Sequence, residues 1–594
     1  MASWISRALT RLAAQPATPP ASPLSDAELR AVVDAGKRLI SEGNFDRARA
    51  TLKDAVLANP YSADALAHYG IAAYLGGDAA EAKLPLSQAV RIDPDHLLGQ
   101  KFLAAVCGTL GDFEGSEAAA AQALRLAPRD HEVLNLYGTA CMQRFRVDDA
   151  ARCFGTAVEV APGDVTALIN IEQLSTRTLR DRSLLETTPK VAVARTQMIN
   201  RLRAALRRRQ LDSVGVRNLL LLLGGGRDTF AAAIDVAREA ANREDMSKEL
   251  ADQIASISGF CGDLPNLLKF RRLAADLEPN LPMVQAYSAY ASLVNGYGEW
   301  RDCWRKIRQD EHNANQGIYA REVPAWTGQR IGGKKILVYQ EQGIGDAILA
   351  LRLIPMLARR GLAFDLWVVP ALASLAGSVK GYENLIGSIA RPDARTLGCK
   401  YASTLFGLIS ALDVDHAELI KNPTVLVPAP DRMAAAKTRL RSLPGRRIGL
   451  AYGGNPDRRD DWFRAVPPSA LKPLAALDGI SWVSLVVDNR PDKAEVIRMF
   501  RMEDPMAEAK DFEDTAAIVS GLDAVIAIDS SVAHLSCSLG KPVWVLVPPM
   551  LDWRWQIGND TRPWWPSATL LRSTSMGQWD SVIEELATQV RSWL

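Results

Sequence analysis

The hydrophobic pattern of the chain falls into two regimes. Through the first third, small, apolar and turn-forming residues repeat with a fixed period; from Lys334 onward, short β-branched runs alternate with helical stretches. In the first regime Pro60, Pro94, Pro128 and Pro162 stand 34 residues apart, and Gly43, Gly77 and Gly111 share one offset within that frame. Ala55, Ala89, Ala123 and Ala157 recur in register, as do Ala48, Ala82 and Ala150, with Ser116 in the remaining repeat. A period of this length predicts stacked helical hairpins. The small residues let paired helices approach, glycine turns the chain between them, and proline ends the second helix.

These spacings resemble tetratricopeptide repeats, with Gly36, Gly70 and Gly138 at that family's small first-helix position. The fourth repeat carries Phe145 where the others have the turn glycine, so an altered hairpin is expected there. Gly262, Ala274 and Pro279 keep the same relative offsets, and the array is expected to resume after residue 248. Residues 163 to 247 read as helical, basic and irregular. Stacked hairpins leave a concave surface that suits a peptide or protein partner, the plainer alternative being a spacer or dimerisation arm. The basic run RAALRRRQ, residues 203–210, reads as a solvated helix face, and no nucleic-acid partner is expected.

In the second regime the runs ILVY (336–339), FDLWVV (364–369), RIGLAY (447–452), WVSLVV (482–487), AVIAI (524–528) and VWVLV (543–547) read as buried parallel strands with crossover helices. The proline-bounded, basic stretch 428–447 divides them into two groups, which predicts two α/β lobes with a cleft between them. Ligands of open parallel sheets collect beyond the carboxyl ends of the strands, so the loops after ILVYQ, RIGLAY and AVIAI should face that cleft.

The loop after AVIAI reads DSSVAH, residues 529–534, and opens a short helix closed by Gly540. Its amino end, with Asp529, Ser530 and Ser531 as polar side chains and His534 one turn on, is a candidate phosphate seat. The bland alternative makes Ser530 a cap and His534 a core histidine. Gly453, Gly454 and Asn455, after RIGLAY, would let backbone approach the same ligand, or would only form a turn. In the first lobe, GIGDAIL (343–349) lacks the third glycine of a dinucleotide fingerprint, since Ile348 stands there. A carboxylate at Asp346 would repel pyrophosphate but could take a proton from an attacking hydroxyl, with Gly343 and Gly345 giving clearance. The alternative is that Asp346 only caps the following helix.

Composition narrows the classes. At 594 residues the chain is too long for one core, and net charge +2 with 23% charged residues argues for neither nucleic acid nor membrane. The leader MASWISRALTRLAAQ lacks a secretion signal's apolar stretch, PATPPASP (16–23) reads as a linker, no membrane span is expected, and the protein reads as cytoplasmic. Seven cysteines scattered without C-x-x-C spacing argue against a zinc site, and no metal ligands are expected.

Taken together, GIGDAIL, DSSVAH followed by GKP, and DWRW then WWP resemble the heptosyltransferase-related GT-B glycosyltransferases over roughly residues 333–594. That resemblance implies that Asp346 is the catalytic base, that Asp529–His534 bind the donor phosphate, and that displacement is inverting and metal-independent. It also implies a basic group near the leaving phosphate, with Arg464 the first candidate and Lys541 and Arg554 weaker ones. Asp413 and Asp415 form a D-x-D pattern outside the strand-end loops, read as unrelated to metal. A repeat array joined to such a domain resembles the bacterial flagellin glycosyltransferases of the FlmG type, which implies flagellin as partner and a nucleotide sugar, CMP-pseudaminic acid for example, as co-substrate without a further cofactor. UDP and ADP donors stay open, as do an O-GlcNAc-type transferase and a non-enzymatic scaffold with an inactive GT-B domain. The expected fold class is thus α plus α/β, multidomain: an N-terminal tetratricopeptide-like solenoid followed by a GT-B fold of two Rossmann-like lobes. The expected parts are a leader (1–24), repeats (25–162), degenerate helical repeats (163–325), an acceptor-side lobe (333–430) and a nucleotide-sugar-side lobe (440–594).

Overall fold

The computed structural model describes residues 24–144, 146–178, 189–224, 227–296, 299–314, 323–421, 426–456, 460–487, 490–555 and 564–594. The leader, the linker and Phe145 therefore lie outside the described residues. The chain forms two compact units, Met1–Arg201 and Leu202–Leu594.

The first unit is an array of hairpins: α1 (Asp26–Ser41) with α2 (Phe45–Ala58), α3 (Ala63–Leu75) with α4 (Ala79–Ile92), α5 (Leu97–Thr109) with α6 (Phe113–Leu126), and α7 (His131–Gln143) with α8 (Val147–Val160). Helix α9 (Val165–Thr178) follows, and α10 (Pro189–Arg207) runs across the division between the units. The first three hairpins turn where the sequence put glycine: Gly43, Gly77 and Gly111 have φ of +77°, +92° and +74°, which only glycine adopts cheaply. The small first-helix positions have an equally direct cause. A Cβ on Gly36, Gly70 or Gly138 would lie 2.6, 2.6 and 2.5 Å from Leu52, Leu86 and Phe154, each 16 residues on and buried in the partner helix. Several helices start on side-chain caps, Asp78 accepting from Glu81 N and Asp112 from Gly115 N, while Ser25 and Glu28 form a capping box.

The second unit begins with three more hairpins. These are α11 (Ser213–Gly224) with α12 (Phe230–Ala240), α13 (Lys248–Cys261) with α14 (Leu264–Leu277), and α15 (Pro282–Asn295) with α16 (Trp300–Ala314). The degenerate repeat turns at Gly262, φ +83°, as its offset predicts. The described residues between 163 and 247 are largely helical, with α11 and α12 forming a hairpin of their own.

Two parallel sheets follow. In the first, β1 (Ile336–Tyr339), β2 (Phe364–Val368), β3 (Leu385–Gly387) and β4 (Tyr401–Thr404) lie in the order β3-β2-β1-β4. In the second, β5 (Arg446–Ala451), β6 (Ile480–Ser484), β7 (Ala524–Ile528), β8 (Val543–Val547) and β9 (Ala568–Arg572) lie in the order β6-β5-β7-β8-β9. The helices of the first lobe are α17 (Ile344–Ala350), α18 (Ile354–Ala358), α19 (Pro370–Ala376), α20 (Gly407–Ala411) and α21 (His416–Ile420). After α22 (Pro430–Leu440), the second lobe adds α23 (Asp461–Arg464), α24 (Lys472–Ala475), α25 (Lys493–Phe500), α26 (Phe512–Ser520), α27 (Ser531–Ser538) and α28 (Asp580–Trp593).

The six strands read from the sequence all form; β3, β4 and β9 were not read. Their runs are short or half-exposed, Leu385–Gly387 burying none of its three residues, so no continuous apolar stretch marks them.

One core runs through most of the second unit. Ala286, Leu293, Trp300, Trp304 and Ile307 from α15 and α16 pack in one cluster with residues of both lobes. Trp300 Nε1 donates to Val414 O at 2.9 Å and Arg308 Nη1 to Gly407 O at 2.6 Å, which stitches α16 to the first lobe. The last hairpin thus covers a face of the α/β region rather than extending away from it.

Candidate functional site

Topology fixes where the candidate loops lie. In each sheet the strand order reverses direction once, between β1 and β4 in the first and between β5 and β7 in the second. A crevice opens at such a reversal, because crossover helices leave on opposite faces. The loop carrying Gly343 and Asp346 follows β1, Gly453–Asn455 follow β5, and Asp529–Ser531 follow β7. Every loop singled out in the sequence therefore sits at a reversal point.

Helices α17 and α27 pack against each other across the lobes. The contact is at glycine: a Cβ on Gly345 would lie 3.0 Å from His534 Cδ2 and 3.2 Å from Ser531 Cα. Gly343 is the N-cap of α17, with φ −61° and ψ 168°, and Asp346 occupies the first turn without capping it. The Asp346 carboxylate turns to Arg554 instead. Arg554 Nε donates to Asp346 Oδ1 at 2.8 Å and Nη2 reaches the same oxygen. Asp346 Oδ2 has no hydrogen-bond donor among the described residues. Arg554 is itself shared: Nη1 donates to both oxygens of Asp552 at 3.1 and 2.9 Å, Nη2 to Gln342 Oε1 at 3.2 Å, and its guanidinium lies 4.5 Å from the ring centre of Trp553. Burial alone would lower the Arg554 pKa, but the carboxylates of Asp552, Asp346 and Asp529 outweigh it and hold the cation charged.

The α27 end is as polar as its sequence suggests, with different partners. Ser530 is the N-cap residue, with φ −158° and ψ 169°, yet its hydroxyl donates back to Ile528 O at 3.0 Å and caps nothing. The N–H groups of Ser531, Val532 and Ala533 donate to no acceptor among the described residues, as expected of an uncapped amino end. His534 is enclosed. It is 3% exposed, stacks on Trp555 with ring centres 5.1 Å apart, and accepts from Trp565 Nε1 at Nδ1 over 3.0 Å. An indole N–H only donates, so Nδ1 must be the bare nitrogen and Nε2 carries the hydrogen. Nε2 faces Asp529 Oδ1 at 3.9 Å, beyond hydrogen-bond range. Burial lowers the His534 pKa to about 4.

The remaining predicted residues divide between this cluster and its margin. Arg464 reaches the site: Nη2 donates to Asp529 O, Nη1 to Asp460 Oδ2 at 3.1 Å, and its buried Nε has no partner among the described residues. Gly453 and Gly454 lie against Arg490, whose guanidinium a Cβ on Gly453 would meet at 2.7 Å and whose Nη1 donates to Gly454 O at 2.8 Å. Asn455 is exposed beside them. Lys541 is elsewhere, its amine donating to Ser520 O and Leu522 O at 2.8 and 2.7 Å beyond the end of α26. Asp415 caps α21 through Glu418 N and Asp413 pairs with Arg301 at 3.4 Å, so each has a structural partner.

Two residues were missed. Asp552 opens the DWRW run but carried no role in the sequence reading, and it joins the cluster only because the chain folds back after β8. Arg490 is 9% exposed, pairs with Asp461 and Asp492 at 2.8 and 3.1 Å, and supports the loop after β5. Its only signal is basic character in the acidic stretch VVDNRPD, too common a pattern to notice.

Residues 33–96 and 108–165 match the tetratricopeptide repeat family. Protein FlbA of Caulobacter vibrioides is 22% identical over 328 residues, 51% of this chain and 54% of the relative; the chain thus spans about half the length of the curated relative it matches. Among solved structures, a tetratricopeptide repeat protein from Parabacteroides merdae covers 44% of this chain and 98% of its own at 15% identity and TM-score 0.35. YrrB, a tetratricopeptide protein with an unusual peptide-binding site, covers 27% of this chain and 84% of its own at 20% identity and TM-score 0.25. By its repeat spacing, its turn glycines and the family match, the chain is a tetratricopeptide-repeat protein in its N-terminal part, joined to an α/β region of two parallel sheets.

Proposed function

We propose that the chain is a cytoplasmic protein glycosyltransferase of the GT-B type. In this reading the tetratricopeptide array captures flagellin, and the α/β region transfers a nonulosonic acid of the pseudaminic acid type from a CMP-activated donor to Ser or Thr. The observation that supports it most is the meeting of Asp346 and the open amino end of α27 on adjoining helices, each at its sheet's reversal point.

The chemistry runs as follows. The acceptor hydroxyl oxygen attacks the anomeric carbon, and Asp346 Oδ2, the carboxylate oxygen without a described donor, takes the hydroxyl proton. The bond between the anomeric carbon and the phosphate oxygen breaks, and its electron pair leaves with the nucleotide monophosphate. The free N–H groups of Ser531 to Ala533, the helix dipole and the Arg464 guanidinium offset the charge gathering on that phosphate. Arg554 holds Asp346 in place through Oδ1, and His534, neutral and clamped by two tryptophans, fixes the orientation of α27.

The test is intact-mass spectrometry of flagellin incubated with enzyme and CMP-pseudaminic acid. Asp346→Asn should lower the transfer rate by roughly 10²–10⁴-fold, the usual weight of a general base, while the donor still raises the melting temperature. Full transfer by Asp346→Asn would dismiss it as the base. Stabilisation by UDP-GlcNAc and not by the CMP-sugar would move the assignment to an O-GlcNAc-type transferase.

A further inference from the structure

A cavity of about 530 Å³ is lined by the second helical array and by the loop after β8. That volume falls within the roughly 300–1,000 Å³ typical of ligand sites. Its walls come from α11, α13, α14 and α15 of three successive hairpins and from Met550–Trp553. The loop is pinned there, since Leu551 N donates to Gly259 O at 2.8 Å, and Gly262 is so close to Pro549 that a Cβ would meet its carbonyl oxygen at 3.0 Å. Asp552 lines this cavity and also binds Arg554, which binds Asp346. The cavity therefore adjoins the candidate base through a single ion-paired relay.

Most polar groups of the wall are already satisfied internally. Arg271 donates to Asp252 at 2.8 Å and to Ser256 at 3.0 Å, and lies 4.8 Å from the ring centre of Tyr287. Lys248 is neutralised by Glu249 and Asp252 at 3.5 and 3.9 Å. What stays uncommitted is of three kinds. Phe260 and Tyr287 are 38% and 41% exposed, so part of each ring stays open even though Phe260 packs on Phe230 and Phe463 and Tyr287 lies under Arg271. The Gln253 amide has no hydrogen bond among the described residues and can both donate and accept. Arg217 has only the Asn218 amide at 3.3 Å and no carboxylate partner among the described residues. Aromatic faces, a free amide and one unpaired guanidinium match a polypeptide with an apolar side chain and a nearby acidic residue.

We infer that this cavity holds the acceptor segment, an acidic, extended stretch of polypeptide, and that it presents the segment's hydroxyl residue toward Asp346. The inference rests on the proposed transferase reading and adds to it the site at which the acceptor is read.

The test uses the full chain with monomeric flagellin as probe. Tyr287→Ala and Arg217→Glu should each raise the KM for flagellin at least tenfold, while the melting shift caused by CMP-pseudaminic acid persists. A benzophenone amino acid at position 287 should cross-link flagellin on irradiation. A flagellin KM within twofold of wild type in both variants, or no cross-link at position 287, would overturn the assignment. So would a rise in the KM for the donor instead, since the cavity would then belong to the sugar. If the wild-type chain transfers nothing yet the cross-link forms, the transferase reading fails and the polypeptide site stands.

Discussion

At the scale of single residues, charge state follows from enclosure. His534 has its Nδ1 tied to an indole donor and its ring pressed on Trp555, so a second proton would lose the Trp565 bond and lie unsolvated. Its pKa is about 4 when folded against 6.5 when exposed. Between those values the unfolded chain binds a proton here and the folded chain does not. Stability is therefore complete above pH 6.5 and falls as pH falls toward 4, by about 3 kcal/mol from this group. Melting curves across that range should show the loss, and His534→Gln, which still accepts from Trp565 but does not titrate, should flatten it. Parallel curves for the two proteins would show that other groups set the acid limit. Asp346 was legible in the sequence as an anomaly of charge, but its partner was not. Arg554 stands 208 residues further on, and no local pattern links the two.

At the scale of elements, the period carries its own explanation. Gly36, Gly70 and Gly138 of the first helices each face a large residue of the second, so the two positions work as a pair. Gly70→Ala would force a methyl against Leu86 and should cost roughly 1–3 kcal/mol, as overpacking does. Gly77→Ala meets no neighbour, so its cost is only that of a positive φ, about 1 kcal/mol, and Gly77→Asn should recover part of it. Hydrogen exchange of the α3–α4 amides in the full chain would rank the three variants. Equal protection in Gly70→Ala and wild type would mean that the helices can separate freely. Polar contacts repeat as well: Lys37 with Asp64, Lys83 with Asp112, Arg49 with Glu81 and His131 with Asp164 link neighbouring repeats at 2.9, 2.8, 3.0 and 3.0 Å. Such half-exposed pairs stabilise by about 0.2–1 kcal/mol each at most, so they tune the stacking that the glycine and leucine contacts create.

At the scale of the whole molecule, the last helical hairpin is part of the α/β core. Trp300 and Trp304 are 4% and 2% exposed, packed among Phe406, Trp553 and Trp564. A chain cut at residue 325 would bare these rings and the lobe surface they cover, and it should express as an insoluble fragment. A chain beginning at residue 208, near the division between the compact units, should fold and keep its donor-induced melting shift. Soluble, donor-binding material from residues 325–594 would contradict this account. The same packing sets Trp462 and Phe463, beside Arg464, on Phe230 and Phe260 of the helical array, so the segment carrying Arg464 is held partly by helices.

The sequence by itself determined the repeat period, the turn glycines, six of the strands and the two loops that end at Asp346 and Ser531. Each is a local matter, since positive φ, close helix approach and continuous apolar runs leave marks within a few residues. The tertiary structure alone decided that Asp346 and Asp552 share Arg554, that His534 is sealed by two tryptophans, and that α15 and α16 belong to the α/β core. Those facts depend on contacts between residues tens to hundreds of positions apart, and side chains brought together only by packing leave no periodic trace along the chain.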